Sequence, residues 1–273
     1  MHIVVCLSRI PDPEAPWKEV ELNEGSTAPL LERLNMVVGP FDENALEVAL
    51  QLKDVTGARV TALTFGPEAN EDALRRALAV RCDSAVHVRE ERAAEMDSSA
   101  VAQVLGAAIR SLRDADLVLC GRQVGDWDSG QVGVLLAEEL GIPCVPVVRK
   151  VEPGPLQSLR LLKEIAGGTC LVEARLPLVV TITNTGANQL RVAKVKDVMA
   201  ARRAEITLLA VAGLGLTVAD LLEIPRASVR RVYFPEVQGQ VKMIDASNVE
   251  AAAEQMAQHL VGLIAPGGRA RNV

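Results

Sequence analysis

The sequence is poor in aromatic residues and carries no excess of positive charge. Aromatic residues make up only 2% of the 273 residues, so Val, Leu, Ile and Ala must build the core. That scarcity argues against a protein that stacks the bases of single-stranded nucleic acid on aromatic side chains. The formal net charge of −6 leaves no broad basic field to attract nucleic acid or an anionic membrane, and neither is expected as a partner.

Long hydrophobic runs are also missing from the sequence. No apolar run approaches the roughly 18 residues that indicate a membrane span. The first residues, MHIVVCL, lead directly into a strand-like run and lack the basic and apolar regions of a signal peptide. The sequence therefore predicts a cytoplasmic protein without a membrane span.

Cysteine and histidine residues are few and scattered. The three histidines show no zinc-ligand spacing. The cysteines are odd in number, widely spaced and without a C-x-x-C pair: Cys6, Cys82, Cys120, Cys144 and Cys170. Buried, reduced thiols are expected rather than a disulfide framework or a metal site.

Short apolar runs alternate with helical patterns over the first two-thirds of the sequence. Strands are predicted at residues 3–7, 60–65, 85–88 and 116–120. Helices are predicted to begin near Asp42, Asn70, Asp97 or Ser98, and Ser129 or Gly130. This alternation predicts right-handed βαβ units and an α/β fold with a parallel sheet, and the continuously apolar strands indicate helices on both of its faces.

The pattern changes after Pro143. A strand at 144–148, an antiparallel hairpin of 159–162 with 169–173, and a further strand at 178–183 are predicted. A short helix at 217–222 and an amphipathic helix at 247–264 follow. We interpret residues 1–183 as one α/β domain and residues 184–273 as a C-terminal extension that packs on this domain or on a partner.

The candidate site lies at the carboxyl ends of the predicted strands, where open parallel sheets bind ligands. Four segments should meet there: 6–9, 38–42, 65–67 and 120–133. In the last of these a glycine-bearing loop leaves a strand and enters a helix. Free N–H groups at Gly130, Gln131 and Val132, with the Ser129 hydroxyl, would suit an anion such as a phosphate.

The same segment also fits a plain strand-to-helix turn in which Ser129 caps the helix. Asp126 and Asp128 could act as an acid–base pair, although binding to ribose hydroxyls or backbone N–H groups fits better, because no histidine or metal set accompanies them. The P-loop pattern, a G-x-S-x-G elbow and a Cys–His pair are all missing. The residues therefore predict a nucleotide-sized site without a catalytic constellation.

Two segments resemble the β subunits of the electron-transfer flavoproteins. Residues 37–53, VVGPFDENALEVALQLK, are similar to the family's N-P-F-x-x-x-A-[VIL]-E-x-A-[VIL]-x-L-K segment. Residues 116–133 resemble its D-L-V-L-x-G-[KR]-Q-x-x-D-x-D-x-x-Q-[TV]-G segment without a gap. The resemblance runs nearly end to end, with departures at Ser8 (commonly Lys), Gly39 (usually Asn) and Arg81 (commonly Gly).

The resemblance implies a Rossmann-like fold of the adenine-nucleotide α-hydrolase-like kind and a heterodimer with an α subunit that carries FAD. The β subunit would hold a second nucleotide, either AMP or, in electron-bifurcating members, a second FAD. The implied nucleotide contacts fall in three groups. These are Cys6, Ser8, Arg9, Gly39, Pro40, Phe41 and Asp42; Phe65 and Gly66; and Gly121, Arg122, Gln123, Asp126, Asp128, Ser129, Gly130, Gln131 and Val132.

The resemblance also places a recognition loop for partner dehydrogenases at residues 191–199. Val195, between Lys194 and Lys196, holds the position of the family's protruding apolar anchor, although an ordinary basic surface turn fits the same residues. The implied function is that of an electron carrier rather than an enzyme acting alone. Electrons would come from an acyl-CoA or other flavin dehydrogenase, or from NADH, and pass to a flavoprotein or quinone acceptor.

We favour FAD over AMP as the β nucleotide. Small residues at Ser129 and Gly130 leave room for a pyrophosphate, and L-G-I-P at 140–143 matches the bifurcating type. Trp127 stands where that type has Gly and could narrow the entrance.

A stand-alone adenine-nucleotide-binding regulator of the universal-stress type is the alternative, but its glycine signature does not fit. An adenylating ATP pyrophosphatase is set aside, because no S-G-G-x-D-S loop follows the first strand.

Overall fold

A central sheet organises the first of two structural units, Met1–Val232, while Tyr233–Val273 form the second. The computed structural model describes residues 1–16, 20–22, 25, 27, 30, 34–125, 127–223, 227–235, 243–244 and 247–264. In this part of the chain nine strands form one sheet and two more form a small antiparallel pair.

The strands are β1 His2–Leu7, β2 Arg9–Pro11, β3 Met36–Val38, β4 Arg59–Gly66, β5 Ser84–Arg89, β6 Leu117–Gly121, β7 Cys144–Pro153, β8 Ser158–Ile165, β9 Gly168–Arg175, β10 Leu178–Ile182 and β11 Thr207–Ala210. The helices are α1 Pro40–Thr56, α2 Glu71–Ala79, α3 Ser98–Leu112, α4 Val132–Leu140, α5 Val195–Ala201, α6 Val218–Glu223 and α7 Val249–Ile264. Where the chain is described, four short 3-10 turns join them, at Glu68–Asn70, Glu91–Glu95, Gly186–Asn188 and Val211–Leu214.

The sheet order is β11-β5-β4-β1-β6-β10-β7-β8-β9. All pairs from β11 to β7 are parallel, whereas β7, β8 and β9 form an antiparallel meander. The predicted parallel sheet with an added antiparallel hairpin is confirmed. Strand order reverses at β1, which pairs with β4 on one side and with β6 on the other, so the gap between β1 and β6 is the switch point of the sheet.

The core lies in two layers, one on each face of the sheet. The residues of β1 and β10 are all buried, as expected for strands covered on both faces. One apolar cluster joins the sheet to α1 and α2, and the other joins it to α3 and α4. The layers are built almost entirely of Val, Leu, Ile and Ala, as the scarcity of aromatic residues requires.

Two predicted helix starts are wrong. Helix α1 begins at Pro40 with Gly39 at its N-cap position, so Asp42 lies inside the first turn and is not the cap. Helix α4 begins at Val132, two or three residues after the predicted Ser129 or Gly130. In contrast, Asp97 caps α3 as predicted, because its Oδ1 accepts from the backbone N–H groups of Ser99 and Ala100.

Two features were not predicted. The β2–β3 pair places Arg9 opposite Val38 and so joins the segment after β1 to the segment before α1. Strand β11, with the sequence TLLA, extends the sheet beyond β5 and belongs to the first unit.

In the second unit, α7 is an amphipathic helix near the predicted position. The Ala251 N–H is bonded to Asn248 Oδ1 just before the first turn. Across both units, no helix in the described ranges is long and apolar enough to cross a membrane.

Candidate functional site

A buried carboxylate lies at the switch point, between the carboxyl ends of β1 and β6. Asp42 is only 6% exposed. Its Oδ2 accepts hydrogen bonds from the backbone N–H of Ser8 (2.8 Å) and from the Ser8 hydroxyl. Its Oδ1 accepts from the Gly121 N–H at 3.0 Å. Helix α1 therefore contributes one side chain that ties together the two strand ends where a ligand is expected.

Two glycines pack directly against this carboxylate. A Cβ on Gly121 would lie 2.5 Å from Asp42 Oδ1 and 2.8 Å from Phe41 Cβ. A Cβ on Gly39 would lie 2.9 Å from Ser8 Oγ and 3.0 Å from Asp42 Oδ2. At Gly121 the close approach leaves no space for any side chain, so packing alone requires glycine at this predicted site position.

The loop 122–131, which we call the nucleotide loop, continues from β6 towards α4. Its first residue is fixed to the sheet, because the Arg122 N–H donates to the Ile182 carbonyl at 2.8 Å. The guanidinium of Arg122 lies 5.1 Å from the centre of the Phe41 ring, and its Nε donates to Gln123 Oε1 at 3.0 Å. Gln123 Nε2 in turn donates to Asp128 Oδ1 at 2.7 Å. These contacts hold a cation beside the start of α1.

The second half of the nucleotide loop has unusual backbone angles. Asp128 and Gly130 have φ values of 49° and 62°, in the left-handed region. A Cβ on Gly130 would make ordinary van der Waals contacts with the Arg122 carbonyl oxygen at 3.5 Å and Gln123 Cβ at 4.0 Å, and Gly130 itself is exposed. Ser129 is exposed, and its hydroxyl lies 3.3 Å from that of Ser98 at the start of α3.

The start of α4 lies over the gap between β6 and β10. A Cβ on Gly133 would lie 2.4 Å from Thr181 Cγ2 and 3.5 Å from Cys120 Cβ, so the helix approaches both strands closely. The N–H groups of Val132, Gly133 and Val134, in the first turn, have no acceptor within the helix, and N–H groups at a helix start favour an anion. Gly133 was not predicted as a site residue; its place in the Q-V-G run was the available signal.

The end of β4 contributes Phe65 and Gly66 to the same edge of the sheet. A Cβ on Gly66 would lie 2.2 Å from Asn70 Nδ2, which donates to the Phe65 carbonyl at 3.1 Å. His87 Nε2 is 3.1 Å from the Gly66 carbonyl oxygen. Asn70, at the N-cap position of α2, therefore binds the strand end and makes no side-chain capping bond to its own helix.

Arg9 holds an incompletely satisfied guanidinium near this edge. Its backbone lies opposite Val38 in the β2–β3 pair, one residue before Gly39. Its buried Nε has no hydrogen-bond partner within the described residues, and the Asp72 carboxylate is 3.8 Å away. A cationic N–H donor without a bond fits an anionic ligand group.

Thiols lie beneath the site. Cys6 and Cys120 are buried on the adjacent strands β1 and β6. A hydrogen bond with Cys6, with burial second, raises the pKa of the Cys120 thiol well above its usual range. All five cysteines are free. Cys6, Cys82 and Cys120 are buried as expected, whereas Cys144 is only partly buried and Cys170 on β9 is exposed. No group of metal-ligating side chains occurs among the described residues.

Residues 190–203, which we call the recognition segment, lie apart from the nucleotide loop and pack on α2 through α5. Val195 is the first residue of α5 and is 81% exposed, with exposed Lys194 and Lys196 on either side. Val192, which the sequence analysis did not single out, is 94% exposed.

Ion pairs fix the recognition segment at two positions, Arg191 and Asp197. Glu47 on α1, whose side chain is only 8% exposed, accepts from the Arg191 guanidinium (2.9 Å) and from the Arg191 backbone N–H (3.1 Å). A second carboxylate, Asp54, lies 2.8 Å from the same guanidinium. Further along, Arg81 pairs with Asp197 at 3.1 Å.

The structure thus brings together most of the predicted nucleotide contacts. The predicted partner contacts, Lys194, Val195 and Lys196, lie elsewhere, in the recognition segment. Ser8, Gly39, Asp42 and Gly121 meet at the switch point, and Phe41 meets Arg122. Pro40 opens α1 beside them, and Gln131 is the N-cap residue of α4. Asp126 lies outside the described residues. No residue of the site forms an acid–base pair with a histidine in the described part of the chain.

Comparison with known proteins gives matches over nearly the whole chain. The family model of the electron transfer flavoprotein domain matches residues 30–214. An electron transfer flavoprotein subunit beta from Clostridium acetobutylicum is 35% identical over 254 residues, covering 93% of this chain and 95% of that protein. One from Megasphaera elsdenii is 30% identical over 271 residues, covering 96% and 98%. Protein FixA from Azorhizobium caulinodans is 30% identical over 269 residues, covering 94% and 93%.

These matches support the electron-transfer interpretation of the sequence and not the alternative of a universal-stress regulator.

Proposed function

Because the chain belongs to the electron transfer flavoprotein family, we propose that it is the β subunit of a heterodimer that carries electrons between flavoenzymes. The observation that carries this proposal is the similarity to β subunits over more than nine-tenths of the chain. The α subunit would bear a redox-active FAD, and this chain would bind a second nucleotide at the switch-point edge.

The residues at that edge fit an adenine nucleotide. The first-turn N–H groups of α4 supply donors for a phosphate, and Arg122 and Arg9 supply positive charge nearby. Ser129 and Asp128 are exposed on the nucleotide loop and are available to a phosphate or to ribose hydroxyls. Among the described residues, no group of metal-ligating side chains accompanies them.

FAD remains our proposal for the second nucleotide, with AMP as the alternative. Gly130 is exposed and has no side chain, which leaves room for a pyrophosphate to run past the start of α4. Trp127 is exposed, so its ring does not fill the buried crevice between the strands. A second flavin bound here would supply hydride and electron chemistry, and the protein would supply orientation and tuning of the reduction potential.

The recognition segment is proposed to dock an acyl-CoA dehydrogenase or another flavin dehydrogenase. Val195 protrudes between two lysines, an arrangement that suits an apolar anchor with a polar rim. NADH as a donor and a quinone-reducing flavoprotein as an acceptor belong to the same proposal if a second flavin is present. A cytoplasmic location is also part of it.

Co-expression with the α subunit tests the proposal. We expect a yellow heterodimer from which all nucleotides are extracted, identified and counted. Two FAD per heterodimer supports the second-flavin form, and one FAD with stoichiometric AMP supports the simple carrier. A colourless homodimer that does not associate with the α subunit would contradict the proposed function.

A further inference from the structure

Asp42 occupies the position in which an open parallel sheet would be expected to bind an anionic ligand group. In such sheets the N–H groups at the carboxyl ends of the strands on either side of the switch point are the natural donors. Here those donors belong to Ser8 and Gly121, and both donate to the Asp42 carboxylate. The chain therefore carries its own anion at the switch point.

The surroundings are shaped around that carboxylate. Gly121 lies against one carboxylate oxygen at a distance that no Cβ would allow, Gly39 lies close to the other, and Ser8 adds a hydroxyl donor. The side chain is almost fully buried, so solvent does little to screen its charge. A phosphate placed beside it would lose the two N–H donors and would face a like charge.

The start of α4 offers a separate position for the phosphate. Gly133 brings this helix against Cys120 and Thr181, on the β10 side of β6, whereas Asp42 lies on the β1 side. The two sides of β6 therefore differ in their preference for an anionic ligand group. The negative charge of Asp42 disfavours it on the β1 side, and the helix N–H groups favour it on the β10 side.

We propose that Asp42 is a specificity-determining residue that excludes phosphate from the crevice between β1 and β6 and so fixes the direction in which the nucleotide binds. The uncharged end of the ligand enters the crevice, and the phosphates lie at the start of α4. This inference rests on the proposed nucleotide-binding function. In the family segment that residues 37–53 resemble, the position of Asp42 is written x, with no fixed residue. The inference therefore concerns this chain.

The test compares adenosine with AMP as ligands of the α–β complex after its bound nucleotide has been released. Asp42→Asn keeps the shape of the side chain and removes its charge. We expect the ratio of the adenosine Kd to the AMP Kd to rise at least tenfold in this variant, because the phosphate of AMP could then also bind beside Ser8 and Gly121, in a second orientation that adenosine does not gain. If Asp42 had a purely structural role, the variant would bind both ligands more weakly by the same factor, and the ratio would stay unchanged.

Glu43→Gln is the matched control. It removes the same charge from the next residue of α1, where the side chain points to Arg76 rather than into the crevice. The ratio should stay within twofold of wild type. If Asp42→Asn does not fold, Asp42→Ser serves instead, because its hydroxyl still accepts from one of the N–H groups.

The outcomes separate this inference from the proposed function. Binding of both ligands with an unchanged ratio in the Asp42 variants overturns the inference alone. A wild-type complex that binds neither AMP nor adenosine overturns the nucleotide site and the inference with it. A tenfold change in Glu43→Gln as well would also overturn it, since general charge rather than position would then be responsible.

Discussion

The nucleotide loop and the recognition segment are both exposed, yet they are held in different ways. The recognition segment is fixed by side chains from other elements, with Glu47 binding Arg191 and Arg81 pairing with Asp197. The nucleotide loop is held to the sheet at Arg122 and then mainly by contacts within itself, such as Gln123 with Asp128.

This difference fits two kinds of binding. A loop whose N–H groups face outwards is completed by its ligand, which supplies the missing acceptors. A protein-docking segment gains affinity when its backbone is already in the bound conformation, because less entropy is lost on binding. The most damaging changes should therefore affect Gly121, where the nucleotide loop leaves the sheet, and Arg191, which is bound to α1 at the start of the recognition segment.

Gly121→Ala should have the largest effect, because its Cβ would contact Asp42 and Phe41 inside the van der Waals limit. We expect a loss of about 2–3 kcal/mol in the free energy of unfolding and loss of the β nucleotide. Urea unfolding of the purified complex and nucleotide extraction measure both. Gly168→Ala on β9, where a Cβ would have nothing within 4 Å, is the control and should change stability by under about 0.5 kcal/mol. Equal midpoints for the two variants would contradict the packing argument.

Arg191→Met should release the recognition segment from α1, because it removes the ion pairs with Glu47 and Asp54. It leaves the Glu47 carboxylate buried without its cation, and we expect a cost of about 1–2 kcal/mol, reduced from a fully buried pair because Arg191 is partly exposed. Electron transfer from the dehydrogenase should slow while flavin content is kept. Arg203→Met changes an exposed arginine of the same segment and should leave stability within about 0.5 kcal/mol. Identical behaviour of the two variants would show that Glu47 does not fix the segment.

Gly130→Glu should act on ligand binding rather than on folding. The added carboxylate would enter the open space at the start of α4 and repel a phosphate, weakening nucleotide binding about 10- to 100-fold, or about 1.4–2.7 kcal/mol. Gly130→Ala carries the same backbone cost of φ 62° without the charge and should weaken binding only a few-fold. Calorimetric titration with the nucleotide distinguishes them. Unchanged nucleotide content in folded Gly130→Glu would exclude this phosphate position.

Val195→Ala should have the smallest effect, on a rate alone. Loss of two exposed methyl groups leaves stability unchanged, but we expect electron transfer with the dehydrogenase to fall about 3- to 10-fold if they fill a pocket in the partner. Val55→Ala on α1 is a matched control, since Val55 is 75% exposed and lies outside the recognition segment. Equal rates for the Val195 variant and wild type would count against the anchor.

Most of the sheet could be predicted from the sequence, because its strands are continuous apolar runs between helices with the expected period. The start of α4 could not, because Asp128 and Gly130 adopt left-handed angles that no local pattern identifies. Strand β11 escaped prediction because an edge strand is stabilised by its neighbour, and its own exposed residues show no strong alternation.

The site was predicted at the level of segments rather than contacts. The strand ends and the glycine loop fell where expected, since topology alone brings them together. The role of Asp42 was missed, because an acidic residue near a helix start fits an N-cap equally well. Its true partners, Ser8 and Gly121, are 34 and 79 residues away in sequence.

The distribution of the thiols has a practical use. Burial raises the pKa of Cys82 to about 12, and the thiols of Cys120 and Cys144 are also shifted upwards, so these three stay protonated and unreactive at neutral pH. Cys170, on the outer edge strand β9, is exposed. Cys6 is buried as well. A maleimide dye should therefore label the wild-type chain mainly at Cys170, on the edge of the sheet opposite β11. That gives a fluorescent reporter for assembly with the α subunit without any engineered cysteine.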